Sequence, residues 1–131
     1  MGNSRGRFVR HAGFTLMELL VVLAVLAILA GITAPLYLDR VHEAREATLR
    51  YNLLGLRQAI DYFYRDKGRY PLTLEEMVDS RYIRAVPEDP ITGRSDSWVP
   101  VPAREGGDES VFDVRSGAAG HANDGSAYAN W

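Results

Sequence analysis

The apolar run FTLMELLVVLAVLAILAGITAPLYL, residues 14–38, constrains the fold of this chain more than any other feature. From Leu19 to Ala34 nothing is more polar than glycine or threonine, and Glu18 is the only charged side chain before the run ends. About 20 apolar residues at 1.5 Å per residue span the hydrocarbon core of a bilayer. A buried core helix would need a larger protein around so uniform an apolar surface. The run therefore predicts a membrane-spanning helix, and its acid needs a separate explanation.

The flanks of this run indicate how it lies in a membrane. Residues 1–13 carry three arginines and no acid, whereas the rest of the chain has 12 basic and 17 acidic side chains. Arginine resists translocation, so the N-terminus is expected in the cytoplasm and the C-terminal part outside the inner membrane. A cleaved secretory signal would have a shorter apolar stretch and an A-x-A site, which this run lacks. The acidic balance of the C-terminal part argues against a nucleic-acid partner.

The sequence on either side of Gly13 resembles the N-terminus of type IV pilins. A short basic leader precedes Gly13 and Phe14, Glu18 is the fifth residue counted from Phe14, and Pro35 lies deeper in the apolar run. The resemblance implies that a prepilin peptidase cuts between Gly13 and Phe14 and methylates the new amine, so that Phe14 becomes N-methylphenylalanine. Glu18 and Pro35 are the residues it assigns to assembly, and Pro35 is expected to kink or loosen the helix.

The same resemblance divides the chain into three parts. Residues 1–13 are a basic leader that the peptidase removes. Residues 14–38 are a transmembrane and assembly helix. Residues 39–131 are a periplasmic pilin-like domain, which includes the distal part of the helix.

Glu18 is the charge that a simple membrane anchor does not explain. A carboxylate inside a bilayer costs about 2.5–3.5 kcal/mol on insertion scales, so an unpaired acid would be a standing penalty. Cleavage after Gly13 creates a cationic amine on Phe14, and methylation keeps its charge. Pairing between Glu18 and the Phe14 amine of a neighbouring subunit would relieve the penalty and favour one axial stagger. The alternative is that Glu18 serves recognition by the peptidase or by another partner.

A helical period beyond the apolar run predicts that the helix continues to about Asp66. The sequence DKGRYP favours an end there, because Gly68 can take a left-handed cap and Pro71 prevents resumption. An acid-first pair at i,i+4, Glu46 with Arg50, is expected on the exposed side. The buried face is predicted from apolar residues that recur every 3 or 4 positions: Leu49, Leu53, Leu56, Ile60 and Phe63.

The rest of the chain predicts a small α+β domain without disulfides, because it contains no cysteine. Thr73 and Glu76 form a capping-box pattern that opens a short helix. Strands are predicted around residues 98–101 and 111–114, and two prolines restrict the first strand to a sheet edge. The resulting fold class is α+β and pilin-like. A long N-terminal helix, with its first half embedded in the membrane, packs on a small antiparallel sheet followed by a C-terminal loop.

The C-terminal segment SGAAGHANDGSAYANW, residues 116–131, is too small-sided to pack on itself. Its Tyr128 and Trp131 are typical of residues that anchor a loop into a core. Two interpretations stay open: a plain loop pinned by these aromatics, or a loop stabilised by Ca²⁺. In the second, Asp124 and backbone carbonyls are the ligands and the ion replaces the missing disulfide. No EF-hand pattern is present, and one or two carboxylates are a weak calcium signature.

Motifs further along the chain narrow the resemblance within the type IV pilin-like superfamily. The sequences GRYP, TLEEM and PEDPITG and the C-terminal Trp131 are similar to those of the major, G-type pseudopilin of type II secretion. Members of that family often bind calcium in the C-terminal region. This tail lacks the first Asp of their usual pattern, which leaves Asp124 as the candidate calcium ligand.

The resemblance implies a structural subunit rather than an enzyme. Single-pass subunits would wait in the inner membrane, be processed by the peptidase and assemble helically with one another and with minor pseudopilins. The periplasmic pseudopilus, acting with an inner-membrane secretion platform, would drive protein export across the outer membrane. Two alternatives stay open, namely a type IV pilus or DNA-uptake pilin and a single-pass sensor or binding protein. No catalytic motif is assembled, and the three histidines, His11, His42 and His121, are far apart in sequence.

Overall fold

The computed structural model describes Gly2, residues 13–104 and residues 108–131. Most of the predicted leader, including His11, lies outside the described residues. The elements follow in the order α1 (Leu16–Lys67), α2 (Leu74–Asp79), β1 (Val99–Arg104), β2 (Asp108–Arg115) and a short 3-10 helix (Tyr128–Asn130). The chain divides into two compact units, one up to Leu38 and one from Asp39 onward, and α1 contributes to both. One long N-terminal helix and a small antiparallel sheet confirm the predicted α+β pilin-like fold class.

The unit up to Leu38 consists of the first part of α1 and the residues before it. An 18-residue window of α1 has a mean hydropathy of 2.7, and none of it is buried within the chain. By length and composition, this helix could cross a membrane. Pro35 lies inside α1, which stays helical on both sides of it. Because proline has no amide hydrogen, it cannot donate to the carbonyl of Gly31, one turn earlier.

The core of the unit from Asp39 onward forms between the distal part of α1 and the hairpin of β1 and β2. All five α1 residues predicted to face the core are buried, and Phe63 is 0% exposed. One cluster joins them to apolar residues of α2, of β2, of the C-terminal loop and of the residue before β1, among them Met77, Val111, Val114, Tyr128 and Trp98. A helix with one apolar stripe thus closes a core that two strands alone could not stabilise.

The two strands pair antiparallel, with Val99 opposite Arg115 and Val101 opposite Asp113. The register shifts on either side of Pro102, where the pairing is irregular. Both strands were predicted, and both are longer than expected. Because the sheet has two strands, both are edge strands, which is where proline is tolerated.

Local caps end α1 and begin α2 as the sequence predicted. Gly68 has φ 69°, and its amide donates to the Tyr64 carbonyl at 2.8 Å. The Glu76 amide donates to Thr73 Oγ1 at 3.2 Å. The Glu76 carboxylate in turn accepts from the Leu72 amide at 2.7 Å. In the standard capping box this bond comes from the amide of the N-cap residue, which here is Thr73, one residue later.

The connector PEDPITG is centred on Asp89, whose side chain is 0% exposed. Its Oδ1 accepts from the Ile91 amide at 2.8 Å, and its Oδ2 accepts from the Ser116 hydroxyl at 2.6 Å. Trp98 Nε1 donates to the Pro87 carbonyl at 2.7 Å. The connector is therefore fastened to the segment after β2, although its sequence predicted only a turn.

Candidate functional site

The predicted cleavage site lies in non-helical, exposed backbone before α1. Gly13, Phe14 and Thr15 precede the helix, and Phe14 is 80% exposed. A Cβ added at Gly13 would meet no atom within 4 Å. Nothing in the described chain therefore requires glycine at this position. A requirement for glycine has to come from another molecule that approaches this backbone closely.

Thr15 sets the point at which α1 begins. Its side-chain oxygen accepts from the Glu18 amide at 3.2 Å, and its carbonyl accepts from the Leu19 amide at 3.1 Å. The T-x-x-E spacing of Thr15 and Glu18 is a capping-box pattern that could have been recognised from the sequence. The cap places Glu18 in the first turn, where the helix dipole favours an acid.

The Glu18 carboxylate has no partner among residues 13–104 and 108–131, where neither an ion pair nor a side-chain hydrogen bond reaches it. Its apolar neighbours along α1 are exposed as well. Large apolar side chains from Leu16 to Leu38 range from 45% exposed at Val22 to 76% at Leu16. This segment thus combines one acid and a wide apolar surface that the described chain leaves without partners.

The second candidate site is the C-terminal loop, residues 116–131, which two side chains of α1 hold in place. Glu46 is 9% exposed, and its Oε1 accepts from the Asn123 amide and the Tyr128 hydroxyl, both at 2.9 Å. Tyr128 is buried, as its predicted anchoring role requires. Burial, followed by the bond to Glu46, raises the pKa of the Tyr128 phenol.

Arg50 is the second side chain of α1 that holds the loop. Its Nη2 donates to Asp124 Oδ2 at 2.9 Å, and its guanidinium carbon lies 4.0 Å from the centre of the Trp131 ring. The predicted i,i+4 pair of Glu46 with Arg50 is therefore wrong. Each side chain instead bonds a partner more than 70 positions away, and Glu46 is buried rather than exposed.

Ser126 completes the contacts around Asp124. Its amide donates to Asp124 Oδ1 at 2.9 Å, and its hydroxyl donates to the same oxygen. Trp131 Nε1 donates to the Ser126 hydroxyl oxygen at 2.7 Å. These bonds from Ser126, followed by the contact with Arg50, hold the pKa of Asp124 below its ordinary value.

The donor set in this loop does not fit a calcium ion. Calcium takes roughly six to eight oxygen ligands, commonly from several carboxylates. Asp124 is the one acidic side chain among residues 116–131. Both its oxygens accept hydrogen bonds from protein donors. In the part of the chain that the structure describes, no group of three or more His, Asp or Glu side chains could hold a metal.

Two of the histidines that are far apart in sequence come together in the structure. His42 and His121 line one open cleft of about 390 Å³, together with Arg45 and Glu46. Neither imidazole makes a hydrogen bond or ion pair within residues 13–104 and 108–131. The side chains named here do not form a recognisable catalytic arrangement.

Comparison with known proteins places this geometry in a family. Residues 9–34, which include Gly13, Phe14 and Glu18, match the prokaryotic N-terminal methylation motif. The chain is 31% identical over 97 residues to the type II secretion system core protein G of Aeromonas hydrophila, covering 62% of this chain and 68% of that protein. The chain belongs to the type II secretion system core protein G family. The predicted resemblance is confirmed.

Similarity to one further relative extends along nearly the whole chain. The chain is 28% identical over 141 residues to the type II secretion system core protein G of Vibrio cholerae serotype O1, covering 93% of this chain and 92% of that protein. It is also 36% identical over 61 residues to the type IV major pilin protein PilA of Myxococcus xanthus, covering 47% of this chain and 28% of that pilin. No solved structure matches the chain.

These relatives support a pseudopilin or pilin role for the chain. They are named for a secretion system and for a pilus, and none of the three names denotes an enzyme. The family and the apolar part of α1 together support membrane anchoring.

Proposed function

We propose that this chain is the precursor of an N-methylated structural subunit of a type II secretion pseudopilus. It assembles helically through the apolar part of α1, and the growing fibre drives protein export across the outer membrane. The observation that carries this proposal is the Glu18 carboxylate. It has no partner in the described chain, lies on an exposed apolar helix and falls within a match to the methylation motif.

Processing takes place between Gly13 and Phe14. The exposed, non-helical backbone around this bond supports access by a prepilin peptidase, and the open space at Gly13 supports recognition from outside the chain. Cleavage removes residues 1–13 and leaves a free amine on Phe14. Methylation of that amine keeps its positive charge.

Assembly then brings the new cation to an acid on another subunit. Pairing Glu18 with the Phe14 amine of a neighbour relieves the cost of a carboxylate in the bilayer, about 2.5–3.5 kcal/mol on insertion scales. Because both charges have fixed positions along their helices, the pair favours one axial stagger between subunits. Pro35 also belongs to this assembly segment, since the missing hydrogen bond to Gly31 lets the helix adjust as it packs.

The remaining assignments follow from this arrangement. The unprocessed subunit is a single-pass inner-membrane protein with a cytoplasmic N-terminus, because the arginines of the leader resist translocation. Residues 39–131 form its periplasmic domain. Its partners are further copies of itself, minor pseudopilins, the prepilin peptidase and the inner-membrane secretion platform.

A type IV pilus subunit is the second candidate function, and the similarity to the pilin of Myxococcus xanthus favours it. Deletion of the gene separates the two candidates. Loss of protein secretion with normal twitching and DNA uptake supports the pseudopilus. Normal secretion with loss of either of the other activities supports the pilus or the DNA-uptake system.

Intact-mass spectrometry of the membrane-extracted protein tests the processing step. We expect a chain that begins at Phe14 and carries one additional methyl group. Deletion of the prepilin peptidase should restore the mass of the full chain. An intact N-terminus in wild-type cells, or an unmethylated Phe14, would contradict the proposal.

The substitution Glu18→Ala tests the assembly step. The variant should insert in the membrane at wild-type levels but form few fibres, because the cationic amine loses its partner. Glu43→Ala is the matched control, since Glu43 is an exposed acid of α1 with only a surface contact to Arg40 at 3.1 Å. Microscopy of sheared fibres and membrane fractionation give the two readouts. Normal fibres from Glu18→Ala would show that the pairing argument is wrong.

A further inference from the structure

The guanidinium group of Arg50, a residue of α1, contacts the C-terminal loop at Asp124, the residue predicted as a calcium ligand. We propose that Arg50 replaces a metal ion in this chain, so that the C-terminal loop folds onto α1 without calcium. The inference rests on the contacts of residues 116–131 and does not depend on the secretion role.

The contacts around Arg50 form a closed ring of four side chains. Arg50 donates to Asp124 at 2.9 Å, Asp124 accepts from Ser126, and the Ser126 hydroxyl accepts from Trp131 Nε1 at 2.7 Å. The Trp131 ring returns to Arg50, whose guanidinium carbon lies 4.0 Å from the ring centre. Each member therefore contacts two others, and the ring joins the end of the chain to the middle of α1.

A guanidinium group can make both of the contacts that this loop needs. It is permanently charged and its planar fork of N–H donors binds a carboxylate. Its flat face stacks on an aromatic ring and is attracted to the negative π surface. Calcium would bind oxygen atoms alone and would leave the Trp131 ring without this contact.

Calcium at Asp124 would also meet unfavourable charges. At Oδ2 the ion would share the carboxylate with the Arg50 guanidinium, and at Oδ1 it would compete with the two donors of Ser126. If Arg50 stayed, two cations would share one carboxylate at a few ångströms, which is repulsive. Glu46, the other acid that touches the loop, uses its Oε1 for Asn123 and Tyr128. Both oxygens of Asp124 and one oxygen of Glu46 thus already accept from protein donors.

Thermal unfolding of the full chain in detergent micelles, followed by circular dichroism, tests the proposal. The wild-type melting temperature should be the same in millimolar CaCl₂ and in excess chelator. Arg50→Gln should lower it by a few degrees in both buffers, because the loop loses its cation. Arg45→Gln is the matched control, since Arg45 lies on the same helix and has no ion pair within the described residues. It should melt as wild type does.

Two results would overturn the proposal. One is a saturable rise in the wild-type melting temperature with CaCl₂ that MgCl₂ does not produce. The other is an Arg50→Gln variant that melts together with Arg45→Gln. If Arg50→Gln does not fold, the wild-type comparison in calcium and chelator decides, and Arg50→Lys provides the second variant. Lysine keeps the charge but loses the flat stack on Trp131, so it should melt below wild type and gain nothing from calcium.

Discussion

Similar apolar side chains are exposed in one part of α1 and buried in the other. In the part up to Leu38, large apolar side chains are exposed, and Leu26 is 55% exposed. In the part from Asp39 onward, the apolar residues that recur every 3 or 4 positions are buried, and Phe63 is 0% exposed. The first part is apolar all round, whereas the second has one apolar stripe. The first therefore requires partners outside the described chain, and the second finds them in the hairpin and the loop.

The two glutamates, Glu18 and Glu46, repeat the same contrast. Glu46 is almost buried, and its carboxylate accepts from an amide and a hydroxyl of the C-terminal loop. Glu18 is exposed on an apolar surface and has no such donor within the described residues. A buried acid is retained when its hydrogen bonds are satisfied. For Glu46 the fold meets that condition, whereas for Glu18 the amine of a neighbouring subunit would meet it in the assembly proposed above.

The largest effect is expected where the contrast is most direct, at Phe63 and Leu26. Phe63→Ala should lower the free energy of unfolding of the unit from Asp39 onward by about 3–5 kcal/mol, because it leaves a cavity in the core. Leu26→Ala should leave that free energy unchanged and reduce fibre assembly instead. Chemical denaturation of the full chain in detergent micelles, followed by near-ultraviolet circular dichroism, measures the first effect. Equal destabilisation by both variants would mean that the two parts of α1 do not differ in their contribution to the folded domain.

Alanine substitutions at Gly117 and Gly55 should change the stability of the domain by smaller amounts and in opposite directions. A Cβ at Gly117 would lie 1.9 Å from the Ser97 carbonyl oxygen, so Gly117→Ala should destabilise the domain by about 3 kcal/mol. A Cβ at Gly55, inside α1, would meet nothing within 4 Å. Gly55→Ala should therefore stabilise the domain by about 0.5–1 kcal/mol through helix propensity.

The same denaturation experiment measures both glycine variants. A neutral Gly117→Ala would mean that the backbone at Ser97 moves aside freely. A destabilising Gly55→Ala would mean that helix propensity does not decide stability at this exposed position of α1.

Local signals predicted much of this fold. The spacing of apolar residues predicted the buried face of α1, because each predicted residue lies three or four positions from the next. Gly68 and Thr73 marked the ends of helices because capping depends on a few consecutive residues. The Thr15 cap is equally local, and its T-x-x-E pattern is a sequence signal of the same kind.

Long-range contacts could not be predicted in this way. Glu46 and Arg50 fit an i,i+4 pair locally, but their actual partners, Asp124 among them, come from the C-terminal loop. Asp89 occurs in a turn-rich sequence, and only the packed fold shows that it is completely buried against Ser116. In each case a partner distant in sequence decided the outcome, and a single sequence carries no signal for that distance.

The smallest expected effect concerns the pH dependence of an ion pair near α2. The hydrogen bond from Arg69, followed by that from the Leu72 amide, lowers the pKa of Glu76 below its ordinary value. A lowered folded-state pKa stabilises the fold above the unfolded pKa, and this contribution is lost as the pH falls through the folded-state value. Glu76→Gln should therefore melt a few degrees below wild type near neutral pH, and the gap should close in acid.

Melting curves from neutral pH down to about pH 3 measure this gap. Glu75→Gln is the matched control, because Glu75 is the exposed neighbour with no ion pair in the described part of the chain. Asp96 and Asp124 also have lowered pKa values, but they titrate in every variant and cancel from the difference. A gap that is independent of pH would mean that Glu76 acts through its neutral contacts with the start of α2. The acid sensitivity of the domain would then have to come from the other acids.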